Sequence, residues 1–175
     1  NVLYYGDTHF YKSTNRGDSW TAISTIPDNR VINWIAVNPS NNKIIYVATL
    51  GVIFKSTDGG YNWMQTSFPL VGTAQVVIDP KNNTTLYVVG AGQYQHVWRS
   101  TDEALTWTNI SNDLPHVTVN TIVPDPRNSN TLYIGTALGC FYTTNGGVNW
   151  IHDDGFPNTI VNDMGITSDN NLVAA

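Results

Sequence analysis

The chain has 175 residues, enough for one domain that buries its own core without metals or crosslinks. Charged residues make up 12% and hydrophobic residues 41%, a balance that excludes a disordered tail and a coiled coil. The net charge of −5 has the wrong sign for counterion release from a phosphate backbone, so nucleic acid is not an expected partner.

In chain order, Leu3-Tyr4 opens a first β segment and Phe10-Tyr11 a second, followed by the turn-rich run Ser13-Thr14-Asn15-Arg16-Gly17-Asp18-Ser19-Trp20. The next unit predicts strands over Ile32–Val37, Ile44–Thr49, Val52–Lys55 and Trp63–Thr66, rich in β-branched and aromatic residues and bounded by Asn, Pro or Gly. Within it the run returns as Ser56-Thr57-Asp58-Gly59-Gly60-Tyr61-Asn62-Trp63, then again over 100–107, ending at Trp107, and over 143–150, ending at Trp150. Successive tryptophans stand 43, 44 and 43 residues apart, and a constant motif at a constant interval is the mark of a repeat architecture. Leu3-Tyr4, Ile45-Tyr46, Leu86-Tyr87 and Leu132-Tyr133 recur in phase ahead of each run, and Asn38-Pro39, Asp79-Pro80 and Asp125-Pro126 recur ahead of the last three of these pairs.

Four strands in about 42 residues is the arithmetic of a β-propeller blade. Aligned on the tryptophans, Phe10, Ile53, Val97 and Cys140 form one apolar column and Tyr11, Phe54, Trp98 and Phe141 the next. Neighbouring positions on a strand face opposite ways, so both faces of each sheet must be covered. The reading is therefore all-β, a propeller of four-stranded antiparallel blades in one region. Its units run over about 1–27, 28–70, 71–114 and 115–157, with a fifth beginning at 158. Asn1-Val2-Leu3-Tyr4 aligns with Asn170-Asn171-Leu172-Val173. Two segments for one strand slot predict an arc of a larger propeller, of about six to eight blades, that contacts further blades or domains.

These runs resemble the Asp-box, or bacterial neuraminidase, repeat, Ser-x-Asp-x-Gly-x-Thr-Trp. With the neighbouring Asp-Pro and Leu-Tyr elements the chain is similar to the propellers of sortilin-type receptors, xyloglucan-degrading glycoside hydrolases and the photosystem II assembly factor. The resemblance implies structural turns at Ser13, Asn15, Gly17 and Trp20, at Ser56, Asp58, Gly60 and Trp63, at Ser100, Asp102 and Trp107, and at Thr143, Asn145, Gly147 and Trp150. An Asp or Asn side chain there accepts backbone N–H bonds, Gly permits positive φ, and Trp fills the gap between blades. Glu103-Ala104 replaces the Gly-containing pair, which predicts a distorted third turn.

Ligands of such folds use the face opposite these turns. There Asn33, Asn120 and Asn162 hold equivalent places at the entry to the innermost strand, read mainly as backbone satisfiers and secondarily as a polar ring for a sugar or peptide. Trp34 has Gln75, Thr121 and Asp163 as its counterparts, so the repeat does not demand a tryptophan there. With Tyr94 and His96, in the longest loop of its class, it is a candidate ligand contact. Glycosidic hydrolysis needs two carboxylates. Asp7, shortly after Leu3-Tyr4, is the single candidate, placed as the resemblance to xyloglucan-degrading enzymes implies, although the Thr-Asp-Val-Gly-Gly context is missing. Sialidase chemistry needs an arginine cluster that Arg16, Arg30, Arg99 and Arg127 do not make.

His9, His96, His116 and His152 lack metal-ligand spacing, and no cofactor loop is present, so neither metal nor cofactor is expected. Cys140, the only cysteine, falls in an apolar column and reads as a core residue. No apolar run approaches the ~20 residues that span a bilayer. Asn82, Asn83 and Asn109 head sequons. The functional expectation is an extracellular or cell-surface binding scaffold for protein or carbohydrate. The alternatives are a xyloglucanase-like hydrolase with its catalytic residues split across further blades, and a structural module of a surface appendage.

Overall fold

The computed structural model describes residues 2–69, 72–90, 97–169 and 171–175. The first sheet holds β1 (Leu3–Gly6), β2 (His9–Ser13) and β3 (Thr21–Thr25). Three four-stranded antiparallel sheets follow. The second is β4 (Ile32–Val37), β5 (Ile45–Thr49), β6 (Val52–Ser56) and β7 (Met64–Gln65); the third is β8 (Thr73–Ile78), β9 (Leu86–Gly90), β10 (Val97–Ser100) and β11 (Thr108–Asn109). The fourth is β12 (Val119–Pro124), β13 (Leu132–Thr136), β14 (Gly139–Thr143) and β15 (Ile151–His152), and β16 (Met164–Ile166) with β17 (Leu172–Ala174) begins a fifth. Each four-stranded sheet is a simple meander, the connection that short turns between sequential strands allow.

Alternate residues of one strand enter different cores, and this stacks the sheets. Ile45 and Val47 of β5 pack with Phe10, Ile32 and Phe54 between the first and second sheets. Tyr46 and Ala48 of the same strand pack with Ile53, Val76, Leu86 and Val88 between the second and third. Tyr87 and Val89 then join Leu132, Ile134 and Trp150 one interface further on, and Cys140 meets Val161 and Met164 beside the fifth. Each fully buried side chain of this size contributes about 1.5 to 3 kcal/mol. Consecutive sheets touch through β1 on β4, β4 on β8, β8 on β12 and β12 on β16. No comparable packing joins the fifth sheet to the first among the described residues. The molecule is thus an open arc of propeller blades.

The repeated motif closes the β6–β7 connection and its equivalents. Ser56 Oγ donates to Asp58 Oδ1 (2.8 Å) and accepts from Gly60 N (2.8 Å), while Asp58 Oδ1 accepts from Tyr61 N and Asn62 N, each at 3.0 Å. Asn15 and Asn145 reproduce the carboxylate's part with an amide oxygen, accepting from Ser19 N and Asn149 N at 3.0 Å. The third turn is not distorted. Glu103 and Ala104 take φ of 58° and 73°, Ala104 N still donates to Ser100 Oγ (2.9 Å) and Thr106 N to Asp102 Oδ1 (2.9 Å). Tyr46 Oη and Lys55 Nζ bond the Glu103 carbonyl, and Lys55 also pairs with the Glu103 carboxylate at 2.7 Å, which helps hold the strained pair in place.

Bonds from side chains and from the turn amides hold the Asp58 and Asp102 carboxyls at a pKa of about 2, below the ordinary 3.8; the side-chain donors Asn62 and Thr106 come first among the causes. A depressed folded-state pKa means stability that is complete above the ordinary carboxylate range and lost as pH falls through about 2. Between these limits the Asn62 and Thr106 amides are expected to lose hydrogen-exchange protection while Ser19, bonded to an amide oxygen, keeps its own. Parallel loss at all three would show that the carboxylates are not the cause.

Candidate functional site

The sheets have two ends. At one end the motif turns meet the Asn/Asp-Pro turns through Gly59 N to Lys43 O (2.9 Å), Glu103 N to Thr84 O (2.9 Å) and Gly146 N to Asn130 O (2.8 Å). The other end carries the hairpin loops at Asp7-Thr8, Leu50-Gly51 and Ala137-Leu138, together with the connections between sheets. These backbone bonds hold the turn end in shape.

At the loop end the inner strands β4, β8 and β12 each carry a β-bulge, between Ile32 and Trp34, Thr73 and Gln75, and Val119 and Thr121. A bulge re-aims the side chains around it, which is why Asn33 and Asn120 stand at the inner rim. Their surroundings divide them. Asn120 Nδ2 donates to Val161 O (2.9 Å), so it ties the fourth sheet to the connection that follows it. Asn162 is exposed, and its backbone N–H donates to Ala175 O at 2.8 Å. Asn33 is exposed and lines an open hollow of about 390 Å³ with Arg30, Val31 and Leu50.

The counterparts of Trp34 are consumed structurally. Gln75 Oε1 accepts from Ile122 N (2.7 Å), Thr121 Oγ1 donates to Asp163 Oδ1 (3.4 Å), and Asp163 Oδ1 also accepts from Met164 N (2.9 Å). Trp34 has no such bond among the described residues and is 37% exposed beside Asn33 in the chain. Tyr94 and His96 lie outside the described residues.

Asp7 is half exposed. Its Oδ1 accepts from His9 N at 2.6 Å, with His9 Nδ1 3.6 Å away, and its carbonyl accepts from Ile32 N at 2.8 Å. The carboxylate thus closes its own hairpin turn while the backbone carbonyl holds the first inter-sheet connection, and among the described residues the carboxylate makes no bond to a second carboxylate. Cys140 is fully buried, and desolvation, with the charge of Asp153 second, pushes its thiol up to about 12, which leaves it unreactive near neutrality. Among the described residues no group of three His, Cys, Asp or Glu is placed to hold a metal ion, and no helix is long and apolar enough to cross a membrane.

Two features of this end carry no repeat signal in the sequence. Arg30 Nη1 donates to Leu50 O (2.9 Å), bridging a connection and a hairpin tip twenty residues apart. His152 lies between Asp154 Oδ1 (2.8 Å, on Nδ1) and Leu138 O (3.3 Å, on Nε2), and the bond to Asp154 raises its pKa against a smaller opposing effect of burial. It clasps the Leu138 hairpin to the connection that follows β15. Neither contact follows a column of the alignment.

The profile of the DUF6242 beta propeller domain family matches residues 1–171. A xyloglucanase of Hypocrea jecorina is 33% identical over 113 residues, covering 62% of this chain and 14% of that enzyme. The GH74 enzyme of Niastella koreensis superposes with a TM-score of 0.69 at 25% identity, over 86% of this chain and 27% of that one. YCF48 bound to D1 peptide superposes with a TM-score of 0.61 at 16% identity, over 95% and 56%, a likeness of fold alone.

Proposed function

The chain belongs to the DUF6242 beta propeller domain family, and from that premise we propose that it is part of a polysaccharide-active propeller of the xyloglucanase kind, working outside the cell or at its surface. Its own share of the work is to hold a neutral glycan across the loop end. The observation that carries this reading is the open hollow lined by Arg30, Val31, Asn33 and Leu50, with the exposed Trp34 next to Asn33 in the chain. Leu50 and Val31 offer apolar contacts to the C–H faces of a sugar, Asn33 offers an amide that both donates and accepts, and Arg30 keeps N–H groups beyond its bond to Leu50. Trp34 adds a ring for stacking. The motif turns, read as Asp boxes, hold these loops in register from the opposite end.

Asp7 is this arc's candidate for one of the two carboxylates that hydrolysis needs, and the second must face it from about 5 to 10 Å away. The similarity to xyloglucanases, carried at 27–33% identity, favours this reading over a scaffold for protein. The exposed Leu138 and Ile160 at the same end are what a protein-binding reading would rest on.

Titration of the protein with xyloglucan oligosaccharides is expected to shift the Trp34 indole and Asn33 amide resonances. Trp34→Ala should weaken binding about tenfold or more, the worth of one stacked aromatic contact of about 1.5 kcal/mol, with the thermal midpoint unchanged. Asp7→Asn should leave binding intact and remove any release of reducing ends. No shift with any oligosaccharide at millimolar concentration, together with binding of peptides, would replace this reading by the protein scaffold.

A further inference from the structure

Two hairpin tips at the loop end have a carbonyl clasped by a basic side chain, and the two clasps differ in kind. Between β5 and β6, Leu50 O accepts from Arg30 Nη1 at 2.9 Å. Between β13 and β14, Leu138 O faces His152 Nε2 at 3.3 Å. A guanidinium donates at every pH at which proteins fold, whereas an imidazole donates from both nitrogens only as the cation.

The second clasp needs that cation. His152 Nδ1 faces Asp154 Oδ1 at 2.8 Å, so each ring nitrogen has an oxygen opposite it, and neither a carboxylate nor a backbone carbonyl has a proton to give. A neutral ring has one N–H for these two acceptors. The charged and closer acceptor keeps it, which leaves a bare Nε2 lone pair against the Leu138 carbonyl. That contact is repulsive, and the ring has little slack to absorb it. Phe141 of β14 stands edge-on to it with centroids 5.0 Å apart, and a Cβ at Gly139 would lie 3.3 Å from Nε2 and from Pro157 O.

The groups around the ring favour the cation. The bond to Asp154 comes first among the causes that raise the His152 pKa above 6.5, with Leu138 O and the Asn158 side chain adding to it and burial opposing. Asp153, the other charged group of that connection, accepts from Gly155 N through Oδ1 (3.0 Å). Behind Phe141 and its hairpin, Cys140 and Tyr133 have raised pKa values and are neutral near pH 7. A raised folded-state pKa means that the clasp is complete below 6.5 and lost as pH rises through the folded value.

The tip depends on it. Leu138 N donates to Thr136 Oγ1 (3.0 Å), which donates to Gly139 O (2.8 Å), but these bonds lie within the hairpin. Outside the hairpin, His152 is the one donor to the Leu138 carbonyl among the described residues.

We infer that His152 is a proton-operated latch, which as the imidazolium fixes the Leu138 hairpin tip to the connection after β15 and on losing its Nε2 proton lets that tip go. The tip at Leu50, held by a guanidinium, has no such switch. The inference concerns the shape of the loop end and stands whether or not that end binds glycan.

Proton and nitrogen NMR of the protein from about pH 5 to about pH 9 tests it. The His152 ring is expected to titrate with a midpoint above 6.5. The Gly139 N–H, which shares a peptide group with Leu138 O, should fall with that midpoint from an order parameter of about 0.85 to about 0.6 or lower. The Gly51 N–H, which shares one with Leu50 O, should keep its value. Gln65 pairs with Phe54 as His152 does with Phe141, so His152→Gln places there a side-chain donor that does not titrate and should abolish the Gly139 transition. A Gly139 amide that stays ordered while His152 titrates would overturn the inference, as would a ring midpoint at or below 6.5 or a transition that survives in His152→Gln.

Discussion

Alanine at Gly60 is expected to destabilise the protein by about 2 to 5 kcal/mol, whereas alanine at Gly59, one residue earlier, should cost about 1 to 2 kcal/mol. Both glycines have positive φ, 83° and 95°, so both substitutions incur the left-handed backbone penalty. Only one of them collides. A Cβ at Gly59 meets nothing within 4 Å, but at Gly60 it would stand 2.5 Å from Phe10 Cδ1. Phe10 is fully buried and held edge-on by Trp63, so its ring has nowhere to retreat and overpacking adds its own cost. The third turn supplies the natural control: Glu103 and Ala104 occupy the same two positions at φ 58° and 73° and keep the same bonds. Backbone strain alone is therefore tolerated, and the neighbouring sheet is what makes Gly60 obligatory. Denaturant midpoints of the two single variants decide the matter; equal losses would mean that the Phe10 contact is not the cause.

The same contrast explains how far the sequence could be read. The β-branched and aromatic residues between Asn and Pro located β4 over Ile32–Val37, and Ile32, Ile35 and Val37 of that strand enter the core between the first and second sheets. The outer strand expected over Trp63–Thr66 shrinks to Met64–Gln65, since only those residues pair with Phe54 and Lys55. Thr66 continues the hydrogen bonding to Ile53 O without strand geometry. A distorted third turn was a reasonable expectation from Glu103-Ala104, and it fails because Lys55 and Tyr46, from the preceding sheet, anchor the strained carbonyl. Local sequence does not contain that support.

At the loop end, Asn33, Asn120 and Asn162 look alike in an alignment, yet Asn120 is tied to Val161 O while Asn33 faces an open hollow. An amide serves either role, and only the neighbouring sheet decides which. Trp34 was visible as a break in the repeat because its counterparts are polar. Arg30 was not, because a guanidinium bonded to a single backbone carbonyl leaves no pattern at the far end of the bond.

Trp150→Ala is expected to destabilise the protein by about 3 to 5 kcal/mol, and Trp20→Ala in the 175-residue chain by less than about 1 kcal/mol. The two residues hold the same place in the motif and differ in what covers them. Trp150 is buried among Ile110, Leu114 and Phe141, and its removal would leave a cavity and an unpaired Ile110 carbonyl between the third and fourth sheets. In a stack where each sheet touches only its neighbours, stability is a sum of sheet terms and interface terms. Weakening one interface should therefore separate the unfolding of the sheets on either side of it. Urea denaturation followed by far-ultraviolet circular dichroism is expected to show a shallower or two-step transition for Trp150→Ala, with the wild-type slope retained for Trp20→Ala. A single transition of unchanged slope in Trp150→Ala would mean that the sheets couple through their inner strands rather than through the indoles. The bulge-level bonds from Gln75 to Ile122 N and from Thr121 to Asp163 would then be the next to remove.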